Sequence, residues 1–281
     1  MDSFYVKEKL KTFFHEDING RDLSSEIIFQ QNQRVTGEVL VKEDGIFSGQ
    51  TILEEAFKLI DETVKVEMYV NDGDNVKINQ VIALVEGPIQ ALLKAERVML
   101  NLIQRMSGIA TLTKQAVATL DSEKTRVCDT RKTTPGLRAF EKYAVTCGGG
   151  YNHRFGLYDG VMLKDNHIAA AGSIMAAVQL VKNKIGHMVK VEVETETTEQ
   201  VIEAVEAQAD IIMFDNCTPE QVVQMKKHVP KTIVTEVSGG ITLENIASYR
   251  DTEVDYISLG FITHSAKGLD ISFNIKGGFK A

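Results

Sequence analysis

Cysteine is scarce. The 281 residues contain only Cys128, Cys147 and Cys217, an odd number spaced too widely for a disulfide framework or a Cys-x-x-Cys metal site. They read as reduced packing residues. Long apolar runs are missing as well: no stretch approaches the roughly 18 to 20 residues of a membrane span. The opening MDSFYVKEKLKTFFHED carries charge with no apolar segment behind it, so no secretory signal is expected and a cytoplasmic location is. Positive charge is in deficit, with a formal net charge of -8, which excludes the broad basic face that nucleic acids require. What remains is an ordinary composition, 43% hydrophobic and 25% charged, in a chain long enough for one large domain or two ordinary ones.

One segment inverts the overall charge. Between Arg126 and Lys164, seven Lys and Arg residues stand against three acids. Arg131 and Lys132 follow a short apolar-leaning run, and Lys164 follows Val161-Met162-Leu163. Cations at the ends of strand-like runs point into a pocket, so the ligand is expected to be small, strongly anionic and held locally.

The first hundred residues have a mixed rhythm. Ser3 to Glu16 reads as a helix with Ser3 as N-cap. VTGEVLVKEDGIFSGQ has strand-like residues around an Asp44-Gly45 turn, TILEEAFKLI has helical spacing, and VKVEMYVNDGDNVKINQVIALVEGP reads as two strands around Asp72-Gly73. Part of that last stretch has the strand rhythm of biotinyl and lipoyl carriers, yet no lysine sits at a hairpin tip, so it is taken as a structural β module. Ile89 to Leu120 has a long helical pattern, read as one helix or as two meeting near Ser107-Gly108.

From Arg126 onward, short apolar runs recur every ~20 to 30 residues, each followed by a helix-like segment, the rhythm of a parallel α/β architecture. The runs are RVCDT, GVMLKD, MVKVEVET, DIIMFDN, TIVTEVSGG and DYISLGF, six units against the eight of a complete barrel. Helices are expected over 137–146, 169–183, 198–208, 218–228 and 242–249. The expected organisation is an N-terminal domain over 1–110 and an α/β barrel over 111–267. A tail over 268–281, containing LDISFNIKGG, is free to rejoin the first domain. Since barrel chemistry sits where strands end, the candidates in order are Arg131 and Lys132, Lys164, Glu194, Asp215, Ser238 with Gly239 and Gly240, and Gly260. Cations precede carboxylates, and glycines come last, as for a phosphate-cradling rim.

Several long motifs now coincide. TRKTTPGLR (130–138), KYAVTCGGGYNHRFGLYDGVMLKDNH (142–167), VEVE (191–194), DN (215–216), SGGI (238–241) and SLGFITHS (258–265), with ERVMLNLIQRMSGIAT (96–111), together resemble the quinolinate phosphoribosyltransferases over nearly the whole chain. The resemblance implies an N-terminal α/β sandwich and an open α/β barrel of about six units. It also implies conversion of quinolinate and phosphoribosyl pyrophosphate to nicotinate mononucleotide, pyrophosphate and carbon dioxide, with Mg²⁺. By residue match it implies that Arg131, His153, Arg154 and Lys164, joined by Arg97 from a partner subunit of a homodimer, hold the quinolinate carboxylates. Lys132, Glu194, Asp215, Ser238, Gly239, Gly240 and Gly260, with His264 nearby, would line the ribose and phosphate side. Glu194 and Asp215 are the implied Mg²⁺ ligands, and Lys132, Lys164, Glu194 and Asp215 the implied catalytic set. Assembly beyond a dimer is left open.

Other readings stand beside these. Lys164 at a strand end also suits the Schiff-base lysine of an aldolase, although an aldolase does not require so many companion cations. Glu194 and Asp215 also suit helix N-terminal acids, and His167 and His264 suit structural hydrogen bonding. A phosphoribosyltransferase for another acid such as nicotinate, or a nucleotide-binding regulator without activity, remain as alternatives. Three arginines exceed what one carboxylate needs, and acids in the pocket hinder simple anion binding.

Overall fold

The computed structural model describes residues 1–30 and 32–276. The chain divides into two compact units, Met1–Leu112 with Thr146–Gly149 and the segment from Ala266 onward, and Thr113–Val145 with Gly150–Ser265.

In the first unit, α1 (Ser3–Ile18) and α2 (Leu23–Ile28) precede β1 (Arg34–Val41) and a two-residue β2 (Gly45–Ile46). Asp2, not Ser3, caps α1, accepting the Tyr5 N–H. Then come α3 (Gln50–Ile60), β3 (Lys65–Met68), a two-residue β4 (Asn75–Val76), β5 (Val81–Pro88) and α4 (Ile89–Leu120). The apolar spacing in α3 places Ile52, Leu53, Ala56 and Phe57 on one fully buried face, each large side chain contributing about 1.5–3 kcal/mol.

The long helical pattern is one helix of 32 residues. Its buried stripe Leu92, Ala95, Met99, Ile103, Met106, Ala110 keeps the three-and-four spacing straight through Ser107-Gly108. That pair docks the helix instead of breaking it. Ser107 Oγ accepts the Ser48 N–H at 3.0 Å and donates to the Ser48 carbonyl at 3.2 Å. A Cβ at Gly108 would lie 1.9 Å from the Lys267 carbonyl oxygen.

The second unit begins at the end of α4. Its strands are β6 (Arg126–Cys128), β7 (Val161–Leu163), β8 (Val191–Thr195), β9 (Ile211–Asp215), β10 (Val234–Ser238) and β11 (Tyr256–Ser258). All pair in parallel in the order β6-β11-β10-β9-β8-β7, and all six apolar runs supply one strand. The connecting helices are α5 (Arg138–Cys147), α6 (Asp165–Ala171), α7 (Ile174–Lys182), α8 (Thr198–Glu206) and α9 (Pro219–Lys226), with α10 (Phe261–His264) after β11. The helix expected over 169–183 is two, because Gly172 ends α6 in the left-handed conformation at φ 94° and Ser173 caps α7. The helix expected over 242–249 is instead a 3₁₀ segment, Ile246–Thr252. Capping boxes start α8 at Thr197 with Gln200 and α9 at Thr218 with Gln221.

Among the described residues β6 and β7 do not pair, so the sheet stays open. On the free edge of β6, Tyr151 donates its N–H to the Val127 carbonyl at 2.9 Å and accepts the Asp129 N–H at 3.1 Å. Residues 151–154 therefore run beside β6. After the barrel, β12 (Ile271–Lys276) rejoins the first unit, antiparallel to β1 in a sheet ordered β12-β1-β5-β3. The last five residues of the expected tail, 277–281, lie outside the described residues. Gly37 of β1 is needed here, since a Cβ would lie 2.2 Å from the Phe273 ring. No helix among the described residues is long and apolar enough to cross a membrane.

Gly108→Ala tests the docked-helix reading. Because the obstructing atom is backbone, the variant should lose about 1–3 kcal/mol, a Tm decrease of several degrees in a thermal melt. An unchanged Tm would show that the helix is not held against Lys267.

Candidate active site

The strand ends of the second unit surround a cavity of about 480 Å³. It is lined by Arg131, Lys132, His153, Arg154, Lys164, Glu194, Asp215, Ser238 and Gly239, together with Thr130, Met162, Met213, Asn216 and Ser258. Side chains alternate along each strand, so Val191, Val193 and Thr195 are buried on one face of β8 while Glu192 and Glu194 turn to the other. Along β9, Met213 and Asp215 face the cavity.

Two guanidinium groups dominate one wall. The Arg131 Nε is buried with no partner. Arg154 donates to the Gly160 carbonyl at 2.8 Å, and its pKa is lowered by burial and by the field of Arg131. Like charges held this close call for an anion. Opposite, Lys164 Nζ meets Glu194 Oε1 at 2.5 Å. Burial raises the Glu194 pKa, with Asp215 adding to it, while Lys164 pulls it down. Asn216 donates to Asp215 at 2.8 Å. The glycine rim is shaped by contact as well as by backbone: Gly239 has φ 89°, and a Cβ there would lie 2.2 Å from Asn216 Oδ1.

Four residues proposed from the sequence do not line the cavity. Gly240 continues the turn at φ 66°. A Cβ at Gly260 would meet Lys132 at 3.0 Å and His264 at 3.3 Å, so that glycine lets the two side chains lie against the backbone. His264 is exposed, its Nδ1 2.6 Å from Ser265 Oγ. Arg97 is exposed on α4 of the first unit. His167 accepts the Lys164 N–H at 3.1 Å, a structural hydrogen bond that fixes the start of α6.

Below the guanidinium wall lies a polar interior. His153 Nε2 is 3.0 Å from Glu192 and 3.6 Å from Glu236, both carboxylates nearly inaccessible. His153 Nδ1 accepts the Arg154 N–H at 2.8 Å, so Nε2 carries the proton and donates to Glu192. These three side chains have the spacing of a metal cluster, but a ligating Nε2 would have to move its proton to Nδ1, against the Arg154 N–H. Burial lifts the Glu236 pKa to about 8, with the Glu192 charge adding to it. Ser258 donates to Glu236. His153 and Arg154 also line a second cavity of about 370 Å³, which includes Val161, Ile211, Val234 and Tyr256 at the opposite strand ends.

Known proteins match this chain over nearly its whole length. Residues 22–107 match the model of the quinolinate phosphoribosyl transferase N-terminal domain, and 109–274 that of the C-terminal domain. The chain belongs to the quinolinate phosphoribosyl transferase family. Among relatives in this family, the probable nicotinate-nucleotide pyrophosphorylase [carboxylating] of Bacillus subtilis is 55% identical, the match covering 98% of this chain and 95% of that one. A mitochondrial quinolinate phosphoribosyltransferase [decarboxylating] 2b of Nicotiana tabacum is 40% identical over 97% of this chain and 83% of its own length. The crystal structure of NadC from Streptococcus pyogenes superposes with a TM-score of 0.95 at 39% identity, covering 99% of both chains.

Sequence reasoning passed over Glu192 and Glu236. The alternation in VEVE and in VTEVS puts a carboxylate two residues before the cavity-facing Glu194 and Ser238, a signal available in the sequence.

The Glu236 pKa has a definite sign for stability. From the ordinary 4.5 up to about 8 the folded chain retains a proton that the unfolded chain has released, so the contribution of this group falls as pH rises through that window and levels off above it. Glu236→Gln, which stays neutral, should gain Tm relative to the unaltered protein between about pH 5 and about pH 8. A constant difference in Tm across that range would show that Glu236 is ionised throughout.

Proposed function

We propose that this chain transfers the phosphoribosyl group of phosphoribosyl pyrophosphate to the ring nitrogen of quinolinate. The transfer is followed by loss of carbon dioxide to give nicotinate mononucleotide and pyrophosphate, a step of NAD biosynthesis. The observation that carries this reading is that Arg131 and Arg154 line one cavity, with the Arg131 Nε buried and unpartnered. Two planar forks suit two carboxylates, whereas a single carboxylate, as in nicotinate, leaves the repulsion half answered.

The pyridine nitrogen is the nucleophile and needs no general base. Its bond to the ribose carbon forms as the bond to pyrophosphate breaks, and positive charge builds on the ribose. Glu194 and Asp215, on the adjacent strands β8 and β9, hold the ribose hydroxyls, and their field favours that charge. Gly239 presents its backbone N–H to phosphate, with Gly240 shaping the turn behind it, and Lys132 supplies a compact cation in the same cavity. Once alkylated, the ring accepts the electron pair left by the departing carboxyl carbon, and a proton then takes that position. Lys132 or Lys164 stabilises the transient carbanion.

Two oxygen-donor carboxylates suit Mg²⁺, which keeps water and substrate phosphates as its other ligands. Glu194 and Asp215 would hold it, and it would neutralise charge on the leaving pyrophosphate. We further propose a cytoplasmic homodimer in which Arg97 completes the partner's carboxylate pocket.

The direct test follows carbon dioxide release from quinolinate in the presence of phosphoribosyl pyrophosphate and Mg²⁺. No release would overturn the reading. Arg131→Ala and Arg154→Ala should each weaken quinolinate binding by about one to two decades, from ~1.5–3 kcal/mol per charge-assisted contact, with donor binding little changed. Glu194→Gln and Asp215→Asn should lower kcat more than they weaken quinolinate binding. Equal losses for both ligands in the arginine variants would move those residues out of the acid pocket.

Subunit mixing tests the assembly. Co-expressed Arg97→Ala and Lys132→Ala chains should form hybrid dimers with one site carrying both defects and the other neither, so activity should return. Confirmed hybrids as inactive as either parent would show that Arg97 serves no partner site.

A further inference from the structure

Lys142 of α5 and Asp129, at the end of β6, form an ion pair with both side chains wholly inaccessible to solvent. Taking two charges out of water costs several kcal/mol for each ion, and such a pair rarely stabilises a fold better than apolar residues of the same volume. Its partners are therefore informative. Asp129 Oδ1, besides meeting Lys142, accepts the His153 N–H at 2.9 Å, and Oδ2 accepts the Asn152 amide at 2.7 Å. Lys142 Nζ also donates to the His153 carbonyl at 2.9 Å, and the Lys142 carbonyl accepts the Asn152 amide at 2.8 Å. The N–H and the carbonyl of His153 are thus both taken by one ion pair.

From there the constraint passes outward. The His153 ring accepts the Arg154 N–H, and the Arg154 guanidinium reaches the Gly160 carbonyl at 2.8 Å. Asp129 also lies two residues before Arg131. One buried pair therefore fixes both chain segments that bring guanidinium groups to the cavity, although neither of its members lines the cavity.

We propose that Asp129 and Lys142 are positioning residues that set the spacing of Arg131 and Arg154, and thereby the preference of the site for a dicarboxylate over a monocarboxylate. This rests on the functional reading above. Two guanidinium groups read two carboxylates only if their separation is held. A lone carboxylate uses one of them and tolerates drift in the other.

The test measures binding of pyridine-2,3-dicarboxylate and pyridine-3-carboxylate to the full chain by calorimetry. Steady-state KM for the phosphoribosyl donor is measured alongside. In the double variant Asp129→Asn with Lys142→Met, which removes both charges at once, dicarboxylate Kd should rise about tenfold or more. Monocarboxylate Kd and donor KM should stay within about twofold. The conservative Asp129→Glu keeps both charges but shifts the carboxylate off the His153 N–H, and should lower the dicarboxylate preference about threefold, which decides the matter should the double variant fail to fold. A preference unchanged in either folded variant, or equal loss of both acids, would overturn the proposal. Failure of the unaltered protein to bind the dicarboxylate would bring down the functional reading itself, and this inference with it.

Discussion

Crowding of like charge governs the second unit. Arg131 and Arg154 line one cavity, where burial and then the field of Arg131 lower the Arg154 pKa, and no carboxylate ion-pairs with either among the described residues. Surrounding groups answer this crowding indirectly. Glu194 is neutralised locally by Lys164, Glu192 accepts a hydrogen bond from His153 Nε2, and Glu236 lowers its own charge by keeping its proton. The site holds a positive wall and a negative wall without letting them collapse onto each other.

That separation depends on where the strands end. In β8, alternate residues place Glu194 at the cavity and Glu192 beneath the histidine, so one strand serves both levels. The barrel's missing strands contribute as well. A closed eight-stranded barrel fills its axis with apolar side chains, whereas here the chain beside β6 brings His153 and Arg154 to the interior. Carboxylates, an imidazole and a guanidinium occupy space that in a closed barrel belongs to Val, Ile and Leu.

Much of this was legible in the sequence because strand ends and charge coincide there. Six apolar runs gave six parallel strands, and the cations that follow them line one cavity with Glu194 and Asp215. What was not legible depends on contacts between distant residues. Ser107-Gly108 looks like a helix break locally, but the reason for the glycine is the Lys267 carbonyl. The 3₁₀ segment at Ile246–Thr252 replaced an expected helix, and no residue type in that stretch announces the difference. Asp129 and Lys142 were hidden for another reason: in sequence they are one acid and one cation among ten charges, and only their burial sets them apart.

The strand order also bears on how the site comes into being during synthesis. Strands β7 to β10 each pair with the next strand along the chain, but the one named strand that β6 pairs with among the described residues is β11, and the contact between Cys128 and Ser258 spans 130 residues. Such a distant pairing is slow, because the loop must close before the contact rewards it. The first strand of the unit waits for the last. A nascent chain that has emerged only as far as β10 can hold Lys164, Glu194 and Asp215 in register, yet Arg131 and Lys132 have no sheet to follow. The strand order thus ties the Arg131–Lys132 side of the cavity to the barrel's final strand.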